Sequence, residues 1–499
     1  MNKFIRNTAI GIFIVYLVSC SDFMDKYPLD QISSETFWQN EKEAEMALAG
    51  VYSRLLTYPF NHKDCEFDIM AGDVDGNQSH AIINIARGQI EPTSGSIVSN
   101  IYNNCYTGIS SCNFFLVNVD KTPMSQEKLN RYKGEVQFLR ALFYFTLADT
   151  YGGVPLYTAP VTIDEAKIAK STKEQVIAQV LSDLDFAIAN LPDVPYTDGH
   201  AVKGSAQALK ARVLLYQEQW TEAASMANNV ITGGKFSLFN DFRTLFLAKG
   251  QSNNPEIIFS TRFLSPDIKT DLDVRWNWHG VVNPRQELVD DYEFTDGTPF
   301  STSNPLYDAD NWKLNRDPRL ALTIKKFEET VINSAGEEVG FAYNAISGTG
   351  YNPVKYGNWD VLPIDYSTIS EQDWILIRYA DVLLMYAEAA NEASGPIQSV
   401  YAAVNKVRAR PGVNMPPLPE GLSKEQMRER IRHERRVELA LEGFRWSDIR
   451  RWKTINAYIN SLVDPGGTPR RFDPSKHYVL PFPQSEIDIN PQLVQNPNY

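Results

Sequence analysis

Trp276-Asn-Trp278-His279, followed by Asn283 and Arg285, is the stretch whose side chains are best suited to hold a ligand without reacting with it. An indole face packs on the apolar C–H face of a pyranose, and neighbouring amide, carboxylate or guanidinium groups bond the hydroxyls around it. If the stretch is a strand, alternation points Trp276 and Trp278 to the same side. Read as packing instead, the same two rings plug the joint between this segment and nearby helices. Tyr307 and Trp312 form a second aromatic candidate. Asp75, Asn77 and His80 lie in an acidic loop and offer either polar contacts to a ligand or an ordinary solvated face.

Reactive chemistry finds less support. His433-Glu434-Arg-Arg-Val437 has Val437 where a zinc-protease helix needs its second histidine. Gly199-His-Ala-Val-Lys203-Gly204-Ser205 has its lysine on the wrong side of the second glycine for a phosphate loop. Asp73-Val-Asp75-Gly-Asn77 starts like a calcium loop, but Gln78 stands where that motif requires glycine and no glutamate closes it. No nucleophile elbow is present, and the carboxylates are too scattered to select a glycosidase pair. The reading is therefore no catalytic residue, no cofactor and no metal. Arg435, Arg436, Glu438, Arg445 and Asp448 are expected to form ion pairs where their helix meets Trp446 and Trp452.

These residues need elements to position them. Lys203 to Ile231 reads as two antiparallel helices, with Ala208, Ala211, Leu214 and Leu215 on one stripe and Ala223, Ala227 and Val230 on the other. Small Ala211 and Ala223 allow close approach, and Trp220 stands at the joint. The pair resembles a tetratricopeptide-type hairpin, with Glu218 in place of the usual glycine before the turn. One hairpin cannot bury both faces, so further helices must pack on it. Helices are predicted from Asn40 (with Glu43 completing the cap) to before Pro59, over Ile97–Val119, Ser125–Tyr151, Ser171–Leu191, Trp374–Ala393 and Ser399–Arg410, and from Ser423 to Glu442. Between His62 and Thr93 the rhythm is lost, and a long acidic loop with one short strand is expected. From Gly233 to about Glu371, loops and short strands rich in Trp and Tyr are expected over the helices. The fold class is thus mostly α. Its helical hairpins form a scaffold at about 35–60, 97–232 and 372–460, and a large irregular insert spans about 233–371. Residues 20–499 make one discontinuous domain.

The chain of 499 residues is 43% hydrophobic and 22% charged, with formal net charge -13. That is a globular composition, and its acidity disfavours nucleic acid as a partner. Lys3 and Arg6 precede a short uncharged run ending at Leu17-Val18-Ser19-Cys20, the pattern of a bacterial lipoprotein signal over residues 1–19. Cleavage before Cys20 and acylation of that cysteine would leave a globule on a membrane tether. Cys65, Cys105 and Cys112 remain. On one helix, Cys105 and Cys112 are separated by about 10 Å of rise, too far for a disulfide. Cys65 with either one, or three free thiols, both stay open.

Several stretches occur in an order that resembles the SusD/RagB family of outer-membrane nutrient-binding lipoproteins of Bacteroidota. They are Cys20-Ser-Asp-Phe-Met-Asp25; Phe138-Leu-Arg-Ala-Leu-Phe-Tyr144 with Tyr151-Gly-Gly-Val-Pro155; Asn315-Arg-Asp-Pro-Arg-Leu320; Ile377-Arg-Tyr-Ala-Asp-Val-Leu-Leu-Met-Tyr-Ala-Glu-Ala389; Arg432-His-Glu-Arg-Arg-Val-Glu-Leu439; Glu442-Gly-Phe-Arg-Trp-Ser-Asp448 with Arg451-Trp452; and Leu480-Pro-Phe-Pro483 with Asn490-Pro491. The resemblance covers essentially the whole chain. It implies a tetratricopeptide-type scaffold, lipid anchoring at the surface of the outer membrane and no catalysis. The implied partner is a SusC-like TonB-dependent barrel transporter, to which captured oligosaccharide, or in some members peptide, is delivered. A departure is that the family often has a Trp before Tyr106, where this chain reads Ser99-Asn-Ile-Tyr-Asn-Asn104; a sugar platform is not implied there. A surface hydrolase and a purely protein-binding helical scaffold are the competing classes.

Overall fold

A computed structural model describes residues 37–61, 65–76, 82–333, 335–339, 347–362 and 364–499. The leader and Cys20 lie outside them.

Helix starts follow local hydrogen bonding. α1 (Glu41–Tyr52) begins where the Asn40 side chain accepts the Glu43 amide. α2 (Ser96–Asn118) and α3 (Gln126–Tyr151) follow; Ser125 caps α3, and Gly152 ends it. α4 (Lys173–Asn190) starts one residue later than expected. Its cap is Thr172 rather than Ser171, because Thr172 and Gln175 satisfy each other's backbone amides. α5 (Lys203–Tyr216) and α6 (Trp220–Thr232) are the expected hairpin, with Ala211 and Ala223 buried. The turn between them passes through Glu218 at φ 57. The left-handed backbone that glycine normally takes is thus kept without the glycine. α7 (Tyr379–Ser394), α8 (Gln398–Arg408) and α9 (Lys424–Glu438) complete the long helices. α9 has the expected Ser423–Gln426 capping box but stops at Glu438. It does not run on to Glu442, because the chain turns at Leu441 and Gly443, both at positive φ.

The helices stack in chain order, α2 on α3, α3 on α4, α4 on α5 and α5 on α6; α6 then packs on α7, which also holds α8 and α9. A Cβ on Gly108 would sit 2.6 Å from the Phe143 ring, so glycine sets how closely α2 approaches α3. The mostly α, tetratricopeptide-like architecture with an irregular insert is what the chain adopts.

Two expectations about elements fail. The acidic loop contains two short helices, Glu66–Ala71 and Ile82–Ala86, around the strand β1 (Val74–Asp75). Trp374–Arg378 is a strand rather than the first turn of a helix. β2 (Ile257–Thr261) at the start of the insert pairs antiparallel with it. A run of Trp and Ile with one Leu suits a buried ladder better than a helix start. In between lie β3 (Asn283–Pro284), β4 (Ile324–Lys326), β5 (Val331–Ile332), β6 (Glu338–Val339) and β7 (Tyr351–Pro353), with the Trp374–Arg378 strand as β8. β1 pairs with β3, β4 with β7 and β5 with β6, all antiparallel. The acidic loop is thereby joined to the insert. Cys105 and Cys112 are free and buried, and Cys65 is buried.

A buried charge lattice fastens the insert to α9. Glu438 accepts from Arg319 (2.9 Å), Arg378 (2.7 Å) and Arg410 (2.7 Å). Glu434 bonds Arg319 and Arg408, Glu256 bonds Arg378 and Arg410, and Glu442 bonds Arg378 and Lys355. Burial alone would raise the Glu438 carboxyl, but Arg410, Arg378 and Arg319 outweigh it and hold the group far below the usual carboxylate range. Burial pushes the Lys355 ammonium down to about 8 despite Glu442 beside it. The ion pairs expected on α9 are present: Arg435 with Asp448 and Asp381, Arg436 with Asp73 and Asp291.

Another buried carboxylate, Glu135 on α3, accepts from Tyr52 Oη (2.7 Å), Arg131 Nε (3.1 Å) and His200 Nδ1 (2.6 Å). The bond to Glu135 raises the His200 pKa above its ordinary 6.5. A raised histidine stabilises the fold fully below its unfolded pKa, and that gain is lost as pH rises through the folded value. The unmodified protein's advantage over His200→Gln in urea unfolding is therefore expected to be greatest below about pH 6.5 and to shrink above it. An advantage that stays constant from pH 5 to 9 would refute this.

Candidate functional site

The Trp276–Trp278 stretch is a wide helical turn, Val274–Trp278, not a strand. In such a turn residues two apart point to nearly opposite sides, so one indole faces in and the other out. Trp276 is fully buried, 5.9 Å from the Tyr356 ring and 6.3 Å from Trp374; Tyr356 and Trp374 are themselves stacked at 4.4 Å. Asp273 pins the start of the turn. Its buried carboxylate accepts from Ser370 Oγ (2.8 Å), Gln372 Nε2 (2.8 Å) and the Asn358 amide (2.7 Å), and burial raises its pKa.

That anchoring presents Trp278 and His279, both half-buried, against Tyr366. The ring centroids are 4.3 Å apart for Trp278–Tyr366, 4.7 Å for Trp278–His279 and 5.5 Å for His279–Tyr366. Tyr366 is 74% exposed. It sits on a turn closed by Asp365, whose carboxylate accepts from the Ser367 amide (2.7 Å) and hydroxyl (2.5 Å). The sequence reading did not single out Tyr366. The signal was its place between Asp365 and Ser367-Thr368, residues that make an exposed side-chain-closed turn.

Trp312 belongs to a second group. Its indole N–H donates to Glu329, and its ring lies 5.4 Å from Tyr351. The Tyr351 hydroxyl donates to Gln286 (2.8 Å) beside an open cavity of about 630 Å3. β7, which begins at Tyr351, packs on both β3 and the Val274–Trp278 turn. The two aromatic groups therefore flank one seam. Tyr307 is not part of either; its ring contact is with Phe300 at 5.8 Å.

Four of the proposed contact residues are scaffold instead. Asp75 is buried and paired with Arg470 at 3.1 Å. Asn283 is buried, donating to Gly280 O (3.0 Å) and accepting from the Gly348 amide (3.1 Å). Arg285 is buried and donates to Val463 O (2.8 Å) and Asp464 (3.2 Å). Trp276 is sealed as described. None of the four shows a ligand a free face. Each holds the seam on which Trp278, His279 and Tyr366 are displayed. Asn77 and His80 lie outside the described residues. Asp73, which resembled part of a calcium loop, is a counter-ion of Arg436 at 2.7 Å.

Comparison with known proteins agrees with this architecture. A family model described as "SusD family" matches residues 248–499, and one described as "Starch-binding associating with outer membrane" matches residues 22–215. A SusD-like protein of Formosa agariphila is 28% identical over 99% of this chain and 98% of its own length. The starch-binding protein SusD of Bacteroides thetaiotaomicron is 25% identical over 78% of this chain and 76% of its own. Among solved structures, a SusD-like carbohydrate-binding protein from Bacteroides fragilis superposes with TM-score 0.83 at 30% identity, covering 92% of this chain and 100% of that one. A laminarin-binding SusD-like protein superposes with TM-score 0.70 at 26% identity, covering 93% and 100%.

Proposed function

The chain belongs to the SusD family, and from that premise we propose that it is a non-catalytic cell-surface lipoprotein that captures oligosaccharides and passes them to a TonB-dependent barrel transporter of the outer membrane. The observation that carries the reading is the displayed Trp278–His279–Tyr366 cluster, held by a buried anchor of Asp273 and Trp276. The exposed Tyr366 ring beside half-buried Trp278 and His279 supplies a stacking face for a pyranose, and the rigid turn beneath them lowers the ordering cost of binding. The Trp312–Tyr351 pair across the seam offers a second contact for a longer chain. Lipid attachment at Cys20 would keep the protein at the membrane where a transporter sits. The starch-binding and laminarin-binding relatives support carbohydrate as the ligand class.

The test is calorimetry against a panel of neutral oligosaccharides, with the sugars recovered and sized afterwards. Combined Trp278→Ala and Tyr366→Ala should weaken binding by about 2 kcal/mol or more, ~30-fold in Kd, with the melting temperature unchanged. Unaltered affinity would remove the cluster from the site. Shortened sugars would make the protein a hydrolase.

A further inference from the structure

An open cavity of about 750 Å3 lies away from the insert. Its walls are α2, the 157–167 loop and the C-terminal helix Gln484–Ile489. That volume is in the range of small-ligand sites. Its floor is aromatic: Tyr106 and Tyr157 are half-buried, with ring centroids 5.7 Å apart. Their hydroxyls are spent on backbone carbonyls, Tyr106 donating to Pro155 O (2.7 Å) and Tyr157 to Ala166 O (2.6 Å), so the rings offer apolar surface.

Polar groups around this floor are unspent. Glu486 is half-buried, its carboxylate has no side-chain partner among the described residues, and burial raises its pKa. Asn103 is exposed, with no bond to its amide among the described residues. Among the described residues Arg54 donates only from Nε, to Ser111 Oγ at 3.1 Å. The α2 wall is neutral: all 23 of its residues are uncharged, in a chain whose charged fraction is 22%. Asn103, Thr107 and Ser110 repeat along its outer face at one-turn spacing. Charged side chains are the usual covering of an exposed helix face, and their absence over six turns fits contact with an uncharged partner.

We propose that this cavity is a second binding site for a neutral oligosaccharide. An aromatic floor takes the C–H face of a pyranose, the Glu486 carboxylate accepts from two adjacent hydroxyls, and Asn103 and Arg54 donate to ring or hydroxyl oxygens. The proposal rests on the reading that this chain binds glycans but assigns them to a different part of the molecule.

Three proteins separate the two ideas: the unmodified chain, the insert variant (Trp278→Ala with Tyr366→Ala), and the insert variant carrying also Glu486→Gln and Asn103→Ala. Each is titrated with maltohexaose, laminarihexaose, cellohexaose and a random tetrapeptide pool, with melting temperature as the folding check. The expected result is that the insert variant still binds at least one hexasaccharide and that the added changes weaken it about tenfold. Loss of all sugar binding in the insert variant overturns the second site and leaves the proposed function standing. Equal binding with and without the added changes also overturns it. Silence of the unmodified chain toward every sugar overturns both, and binding of the peptide pool alone at this cavity replaces the glycan assignment.

Discussion

Glu438→Ala is expected to cost about 5 kcal/mol of folding stability, because removing one partner of a buried ion pair leaves an uncompensated charge worth roughly 3–5 kcal/mol, and here three guanidiniums lose a partner at once. Arg319, Arg378 and Arg410 are all buried, and each belongs to a different part of the chain. Since domains of this kind are stable by only about 5–15 kcal/mol, the variant should unfold at much lower urea or fail to accumulate. Glu438→Gln keeps the shape and part of the hydrogen bonding and should lose less. An exposed pair gives the contrast: Glu41→Ala, which removes the Lys128 contact at 2.6 Å, should change stability by about 1 kcal/mol or less. The pH dependence has a sign. A depressed carboxylate contributes fully above its unfolded pKa, and the contribution is lost as pH falls toward the folded one. The gap between the unmodified protein and Glu438→Gln should therefore begin to narrow as pH falls below about 4.5 and close only in strong acid. Equal stability of Glu438→Ala and the unmodified protein at pH 7 would show that the lattice does not hold the insert.

Trp276→Ala comes next, with an expected loss of about 3–5 kcal/mol, typical of emptying a buried tryptophan site. The space left would open beside Tyr356 and Trp374 and slacken the turn that Asp273 pins. Sugar binding should fall as well, through the misplaced Trp278. Trp278→Ala should show the reverse pattern, with binding at the insert weakened and the unfolding midpoint kept. The distinction is read from paired melting curves and titrations of the two single variants. If Trp276→Ala melts like the unmodified protein, the anchor-and-display account of this turn is wrong.

Helix caps were legible in the chain because they are local. Asn40 and Ser423 announce their helices within three residues. The α5–α6 hairpin was legible for the same reason, even to the position of its missing glycine. Long-range pairing was not. β8 resembled a helix start because its partner, β2, is more than a hundred residues away. The acidic loop looked solvated because the cations that neutralise it, Arg436 for Asp73 and Arg470 for Asp75, lie near the other end of the chain. A buried counter-ion and a solvated carboxylate have the same letter. Of the ligand-contact candidates, the position of Trp278 and His279 could be found from composition. Which of two neighbouring indoles faces out depends on whether the backbone is a strand or a turn, and that was set by Asp273 reaching residues 358–372.

The most direct measurement is a crystal structure of the chain grown with a hexasaccharide that calorimetry shows it to bind. The account predicts a pyranose lying on the half-buried ring of Trp278 and the exposed ring of Tyr366, with Trp276 unmoved beneath the turn. Sugar density that avoids the insert altogether, with those two rings bare, would contradict it.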